Sequence, residues 1–312
     1  MKRTVFLILL IVFCISCGSK DKFKGEIKIH FENISNKEEY KKIIETRLER
    51  LNVKKSAITD IPNGFSIELQ TSDPELVLKM LQLNDQLGFW ETYENEEIYG
   101  SLDNLNTLIK TRLENDSTID STAKQFPLYS KLQLNMYEDM NQHHLAKGSI
   151  IGFAKPEDTA NVHSMLRTGF KEHLFPMKIV FMWGDVNEKS VFPLHALKKD
   201  DFTNGPFMQN GVVESSKIKK NDMGNQVLLL NLTKEGRRTF ESYTKKNVDK
   251  QIAITFSSMV IVSPVVNGPI AGGKVEITGP NTKFLRLLEY ASKMPVYPTK
   301  PTIVSHHFEL IK

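Results

Sequence analysis

Cysteine is almost absent from this sequence. The 312 residues contain two cysteines, Cys14 and Cys17, both close to the start of the chain. A domain formed by the later residues therefore has no disulfide bond, and its stability must come from a hydrophobic core. A chain of this length is long enough to bury such a core.

The sequence also lacks a strong excess of charge of either sign. It has 41 lysine and arginine residues against 37 aspartate and glutamate residues, which gives a formal net charge of +4. Lys2 and Arg3 lie in a segment that we expect to be removed, which leaves 39 basic residues against 37 acidic ones, or +2. This balance gives no support for nucleic-acid binding or for a polybasic membrane patch.

Long apolar runs are scarce as well. The run from Val5 to Ile15 follows the basic start MKR and contains eleven apolar residues. A transmembrane helix needs about 20 such residues, whereas the apolar region of a signal peptide needs about 7–15. We therefore expect residues 1–16 to be a signal peptide, and no later run approaches the length of a membrane span.

The end of this segment resembles the lipobox of bacterial lipoproteins. Ser16 is small and Cys17 follows it, although Cys14 stands where leucine is usual. The alternative is an ordinary signal peptide with an incidental cysteine. Two features favour the lipoprotein: no A-x-A-like cleavage site lies nearby, and a short polar stretch follows. We predict that Cys17 carries the lipid, that residues 17–24 are a tether, and that the lipid is the only membrane anchor.

The next residues show a ferredoxin-like order of elements, which indicates an α+β fold. Ile27, Ile29 and Phe31 alternate with polar residues, as in a half-buried strand. Asp73 and Pro74 are typical of a helix start. The pattern reads strand, helix, strand, strand, helix, strand from about residue 25 to residue 94, and the stretch QLGFWETYE supplies the last strand.

A glycine-rich stretch, NGPIAGGKVEITG, has the spacing of a phosphate-binding loop at Gly268, Gly273 and Lys274. Val275 follows the lysine and has no hydroxyl to bind Mg²⁺. The residues after Lys274 alternate with a period of two, which predicts a strand, whereas a phosphate-binding loop leads into a helix. We therefore predict a turn between two strands and no nucleotide.

Other side chains that could perform chemistry are not arranged for it. The pairs His143–His144 and His306–His307 have no cysteine or H-x-x-x-H partner, and adjacent residues on a strand point to opposite faces. The carboxylates accompany no nucleophile or second base. The aromatic stretch FWETYENEEIY could stack peptides, but we interpret it as a core strand. The sequence predicts no catalytic residue, metal or cofactor.

Several segments together resemble the first periplasmic domain of SecD, an auxiliary membrane subunit of the bacterial Sec protein-export channel that is fused as SecDF in some groups. The first part of the resemblance is KKIIETRLERLNV, FSIELQ and DPELVLKMLQLNDQLGFWETYE, with Asn52 at a position where the family has glycine. The stretch LGFWETYENEE, a polar insertion, IIGFA and KIVFMWG are similar to the SecDF proteins of the Bacteroidetes.

The later part resembles the head of the same SecD domain. It runs through VLLLNLTKEGRRTFESYTKKN, KQIAITFSSMVIVSPVV and NGPIAGGKVEITG. The resemblance implies that Gly272 and Gly273 form the family's I-x-G-G turn and that Gly279 belongs to the following I-x-G. Ser257 and Ser258 depart from the family's D-G turn. The membrane helices of SecD and their proton-carrying acidic residue have no counterpart here, so the resemblance does not imply proton-driven export.

The resemblance implies a ferredoxin-like base with an inserted α+β head. We expect the base to comprise residues 25–100 and 281–312, a polar linker to span 101–130, and the head to span 131–280. The implied function is non-enzymatic: binding of exported polypeptide, or modulation of the Sec machinery. The alternative is an interaction or structural lipoprotein of the envelope that uses the fold for an unrelated partner. The residues after Cys17 favour an outer-membrane anchor that faces the periplasm over an inner-membrane one.

Replacement of the predicted lipid-bearing residue tests the anchor. In the variant Cys17→Ser, the thiol that would carry the diacylglycerol is gone, so we expect soluble or unprocessed protein. Phase partitioning in detergent and the mass of the first peptide measure this. A variant that loses its signal peptide and still enters the detergent phase would contradict the prediction.

Overall fold

The computed structural model of the protein describes residues 22–53, 55–114, 124–185, 190–278 and 282–311. In this part of the chain the helices are α1 (Lys37–Arg50), α2 (Pro74–Gln82), α3 (Asn95–Leu113), α4 (Thr159–Lys171), α5 (Lys234–Lys246) and α6 (Thr282–Ala291). The first strands are β1 (Lys22–Phe31), β2 (Lys55–Ile61), β3 (Gly64–Thr71), β4 (Gly88–Thr92), β5 (Gln133–Leu134), β6 (Met136–Asp139), β7 (Gln142–Leu145), β8 (Ile150–Ala154) and β9 (Ile179–Trp183). The later ones are β10 (Phe192–Lys198), β11 (Met208–Gln209), β12 (Val213–Lys220), β13 (Gln226–Leu232), β14 (Ile252–Phe256), β15 (Met259–Val262), β16 (Lys274–Ile277) and β17 (Pro301–Ile311).

The base is a four-stranded antiparallel sheet in the order β17-β1-β3-β2, which joins the two ends of the described chain. The alternating Ile27, Ile29 and Phe31 of β1 are buried, as the period of two predicts. Helices α1 and α2 supply Ile44 and Val77 to the same core. The predicted tether ends before Lys22, because β1 already includes residues 22–24.

The fourth strand of the base is β17, and the prediction that residues 88–92 fill this place is wrong. Strand β4 instead lies between β14 and β10 in the largest sheet, which runs β15-β14-β4-β10-β8-β5. Four of its five residues are buried, so it needs cover on both faces. Most of β17 is exposed, which suits an edge strand. The first part of the base therefore ends before Gly88 rather than at residue 100.

The expected polar linker at 101–130 is also incorrect for the described residues. Helix α3 covers Asn95–Leu113, with a capping box formed by Glu94 and Glu97 at its start. Its apolar stripe includes Leu102 and Leu105, which are buried in a core with Leu128 and helix α4. The stripe has helical spacing, but the charged and polar residues between its members concealed it.

We expected residues 281–312 to belong to the base, but helix α6 packs in the head. Leu285 and Leu288 are buried with strands β12 and β13 and helix α5. Ser216 Oγ of β12 donates a hydrogen bond to the Glu289 carbonyl oxygen at 2.9 Å. Tyr297, beyond this helix, belongs to the base core, so the chain returns to the base after Ala291.

A buried arginine marks this return. The Arg47 side chain of α1 is 1% exposed. Its guanidinium donates to the Pro295 carbonyl oxygen from Nε at 3.0 Å and from Nη2 at 2.6 Å. Nη1 donates to the Met80 carbonyl oxygen at 2.8 Å and also to that of Leu83, and the group lies 4.0 Å from the centre of the Tyr297 ring. Burial lowers the pKa of Arg47 and raises that of Tyr297 to about 12, so the cation faces a neutral ring.

The fork geometry of Arg47 should be essential for stability. In the variant Arg47→Lys the charge remains, but a single ammonium group cannot reach three separate carbonyl groups. We expect the free energy of unfolding to fall by about 2–4 kcal/mol, measured by denaturant titration. The control is Arg50→Lys, because Arg50 lies on the exposed face of the same helix. Equal stability of the two variants would contradict this role of Arg47.

Candidate functional site

The glycine-rich stretch lies in the connection of residues 263–273 between β15 and β16, two strands that belong to different sheets. Gly273 has a φ of +62°, and a Cβ atom there would lie 2.0 Å from Arg237 Cγ. A side chain at this position would be strained at this φ and would have to displace the Arg237 side chain. Lys274 begins β16 and pairs with Asn231 of β13, whereas a phosphate-binding loop leads into a helix. The described residues thus contain the predicted strand after Lys274; Cys17 and Gly279 lie outside them.

The two histidine pairs, which we interpreted as ordinary surface or strand residues, lie on different strands. His143 and His144 are exposed on β7, and His306 and His307 are exposed on β17. His307 Nε2 lies 3.1 Å from Glu309 Oε1. Within the described ranges, no three histidine, cysteine, aspartate or glutamate residues are grouped as a metal site would need.

The interpretation of the aromatic stretch FWETYENEEIY as a core strand is confirmed for FWET at the end of β4, whereas the residues from Asn95 on belong to helix α3 and Tyr99 is 38% exposed. Phe89 is fully buried and Trp90 is 8% exposed. The Trp90 indole N–H donates to Thr255 Oγ1 at 2.9 Å, which satisfies its polar group inside the core. The rings of Phe89 and Trp90 therefore offer no surface for stacking a peptide.

The structure shows one polar cluster that the sequence did not reveal. Ser149 Oγ lies 2.8 Å from His195 Nδ1, 2.8 Å from Gln251 Oε1 and 3.1 Å from Ser263 Oγ. Ser149 is fully buried and His195 is 5% exposed. A single histidine within the apolar strand FPLHALK is the only local signal of this cluster, because the other members come from distant parts of the chain.

The hydrogen bonds of this cluster argue for a structural role. The Ser149 hydroxyl donates to the side-chain amide oxygen Oε1 of Gln251, an arrangement in which its oxygen accepts from the His195 Nδ1–H and its proton is not passed to the imidazole. A serine nucleophile needs the opposite arrangement. Gln251 also accepts from the Ser149 backbone N–H at 2.8 Å. The cluster connects β10 with the starts of β8 and β14.

An apolar groove lies between helix α4 and the start of β9. It has a volume of about 340 Å³. Three phenylalanines pack together there: the ring centre of Phe170 lies 5.2 Å from that of Phe175 and 5.8 Å from that of Phe181. A Cβ atom at Gly169 would lie 2.4 Å from Phe175, so glycine lets this ring approach the helix. Phe170 remains 41% exposed.

Two almost fully exposed apolar side chains lie at the same end of the β9–β10 pair. Met177 precedes β9, lines the groove and is 95% exposed. Phe202 follows β10 and is also 95% exposed. Their loops are adjacent, because the Lys199 N–H donates to the Lys178 carbonyl oxygen at 2.8 Å and Lys178 forms an ion pair with Asp201.

The chemistry of the groove is that of a receptor for apolar side chains. Burial and the nearby Arg167 lower the pKa of His163, which favours the neutral form of this imidazole. Arg167 and Lys199 place positive charge beside the groove. Exposed methionine and phenylalanine next to an apolar cavity are typical of surfaces that adapt to varied partners.

Comparison with known proteins supports the resemblance that the sequence motifs suggested. Residues 196–284 match the family described as the SecDF P1 head subdomain. The chain is SecD-like, with a P1-type head. The protein translocase subunit SecD of Dictyoglomus turgidum is 30% identical over 104 residues, which are 32% of this chain and 26% of the relative. That of Rickettsia conorii is 24% identical over 230 residues, 72% of this chain and 42% of the relative.

The solved structures extend the likeness in fold beyond the head. A crystal structure of SecDF in a form called super-membrane-facing covers 93% of this chain, with a TM-score of 0.52 and 15% sequence identity; this chain spans 30% of that protein. The chain thus spans less than half the length of these SecD relatives. Among its described helices, none is both long enough and apolar enough to cross a membrane. Most groove residues precede residue 196 and so lie outside the part that matches the head family.

The buried histidine predicts a pH dependence of stability. Burial lowers the pKa of His195 from an ordinary 6.5 to about 4. As the pH falls below about 6.5 the unfolded chain binds a proton at this residue, whereas the folded chain does not until about pH 4. The stability contributed by neutral His195 is therefore present above pH 6.5 and lost towards pH 4.

Comparison with a variant separates the contribution of His195 to the pH dependence of stability from that of the aspartate and glutamate side chains. Between about pH 7.5 and 4.5 the parent should lose about 2–3 kcal/mol more free energy of unfolding than the variant His195→Asn. Denaturant titration across this range measures the difference, and the exposed His307→Asn should follow the parent. Parallel curves for the parent and His195→Asn would contradict the prediction.

Proposed function

We propose that the protein binds exported polypeptide as a lipid-anchored, SecD-like component of the cell envelope and thereby assists Sec-dependent protein translocation. The P1-type head and the name of the curated relatives, protein translocase subunit SecD, support a role in translocation. The observation that carries the polypeptide-binding step is the open apolar groove with Phe170 and Met177 at its surface.

The binding would be passive, weak and reversible. Burial of one large apolar side chain stabilises a complex by about 1.5–3 kcal/mol. Two such side chains, at the groove and against Phe202, would give about 3–6 kcal/mol before the cost of ordering the peptide. Such contacts hold an emerging chain briefly and release it without a nucleotide. The proposed role is accordingly non-enzymatic.

The groove should select apolar segments that are unfolded. A folded protein keeps its large apolar side chains inside, so they cannot enter a cavity of about 340 Å³. Arg167 and Lys199 would favour segments with a nearby carboxylate, although exposed charges contribute little to affinity. Apolar content would therefore determine binding more than sequence does.

Binding of a permanently unfolded protein tests this proposal. We expect a reduced and carboxymethylated protein to bind the full chain, and the variant Phe170→Ser/Met177→Ser to bind about 10-fold more weakly in fluorescence titrations. Met223→Ser is the matched control, since Met223 is 86% exposed at the turn between β12 and β13. Equal loss in the control, or no loss in the double variant, would refute the groove as the site.

Crosslinking in cells separates this function from the alternative. A photoreactive residue at Met177 should capture diverse exported precursors or Sec subunits, whereas one at Met223 should not. Capture of one unrelated envelope protein at Met177 would instead favour an interaction lipoprotein that uses the SecD-like fold for another partner.

A further inference from the structure

A second concave surface lies between the base and helix α6, and its chemistry differs from that of the groove. This cleft has a volume of about 760 Å³. The ends of α1 and β3, the start of β2 and the first turns of α2 form one side, and α6 forms the other. Four cationic side chains line it: Lys22, Lys55, Lys79 and Arg286.

These cations carry an excess of positive charge into the cleft. Among the described residues, none of the four forms an ion pair. Two carboxylates line the same cleft, those of Asp73 and Glu75. The Asp73 carboxylate is already engaged, because its Oδ1 accepts the Leu76 N–H at 2.9 Å as the N-cap of α2. The cleft therefore suits an anion.

The rest of the lining indicates that this anion has an apolar part. Leu51, Leu76, Leu287 and Tyr290 stand beside the cations. Ser72 and Thr71 add hydroxyl groups at the end of β3. An inorganic ion would use the cations and hydroxyls but leave the leucines exposed to water, whereas a lipid headgroup with its glycerol and first acyl carbons would contact both.

The position of Lys22 places the cleft close to the proposed membrane anchor. Five peptide units separate Lys22 from Cys17, and five residues span at most about 18 Å when fully extended. An acylated Cys17 lies at the membrane surface, so the cleft would be within that distance of the lipid headgroups. This step rests on the lipid anchor of the proposed function.

We infer that the cleft binds the phosphate group of an anionic phospholipid headgroup. The four cations would contact the phosphate, and the leucines and Tyr290 would contact the glycerol region. Because one wall is base and the other is α6 of the head, an occupied cleft would orient the whole domain on the bilayer. A single lipid tether would leave that orientation free.

Vesicle binding without the acyl anchor tests this inference. The chain from residue 17, which contains every described residue, is prepared as Cys17→Ser and mixed with vesicles of phosphatidylglycerol and phosphatidylcholine. We expect sedimentation with the phosphatidylglycerol vesicles, and about 10- to 100-fold weaker binding for Lys55→Gln/Lys79→Gln/Arg286→Gln. The matched control is Lys110→Gln/Lys234→Gln/Lys245→Gln, which removes the same charge from exposed positions on α3 and α5.

Each result decides between the cleft and the other sources of binding. Equal weakening in the control, or no preference for phosphatidylglycerol, would overturn the inference, because the attraction would then belong to the whole surface. Inorganic phosphate at matched ionic strength distinguishes the two sources of a phosphate group. Loss of vesicle binding in phosphate but not in chloride is expected when the headgroup and the soluble ion compete for the cleft. If the cleft substitutions abolish binding of inorganic phosphate in a direct titration but leave vesicle binding unchanged, the cleft belongs to the soluble ion and the lipid is overturned.

Polypeptide binding provides the remaining check. The three cleft substitutions should leave binding of the carboxymethylated protein unchanged, since the groove residues Phe170 and Met177 are untouched. The vesicle assay also contains no acylated cysteine. Failure of the groove or of acylation at Cys17 is therefore distinguishable from failure of the cleft.

Discussion

The geometry of the protein depends on the guanidinium of Arg47, which holds together three segments that are distant in sequence. It binds carbonyl groups at the end of α2, just beyond that helix, and at Pro295, where the chain leaves the head. A buried cation costs several kcal/mol unless its donors are satisfied, and here backbone oxygens and the Tyr297 ring replace its water. Displacement of Pro295 would leave the Arg47 charge partly unsolvated. The charge thus penalises any other path for the returning chain.

The same constraint couples the base to the head. The chain leaves the base after α2 and comes back after α6, and the two crossing segments lie side by side. Asn84 joins them: its Oδ1 accepts the Tyr297 N–H at 2.8 Å, and its Nδ2 donates to the Tyr297 carbonyl oxygen at 3.2 Å. The two connecting segments, held together by Arg47 and Asn84, set the spacing between α2 and α6. The cationic cleft lies between these two helices. The shape of the proposed lipid site therefore depends on the buried guanidinium of Arg47.

The sequence predicted the elements better than their partners. The strands and helices of the base from β1 to α2 follow from local periodicity, and Asp73 caps α2 as expected. The wrong partner for β4 arose because FWET reads as a strand in any sheet; only its burial on both faces, a property of the assembled fold, places it beside β14. The cluster of Ser149, His195, Gln251 and Ser263 and the groove beside α4 both combine distant segments. No local pattern specifies such sites, and Phe170 and Met177 appear in the sequence as ordinary apolar residues.

The two proposed surfaces depend on different physical forces, which allows them to act in the same molecule without interference. Contacts at Phe170 and Met177 exclude water from apolar surface, so salt affects them little. The four cations of the cleft act by charge, and at physiological ionic strength their field decays over about 8 Å. Only a headgroup close to the cleft would be attracted by these charges, whereas an apolar segment must come into direct contact with the groove. The membrane would therefore determine the orientation of the domain, and the groove would determine which polypeptide segments it binds.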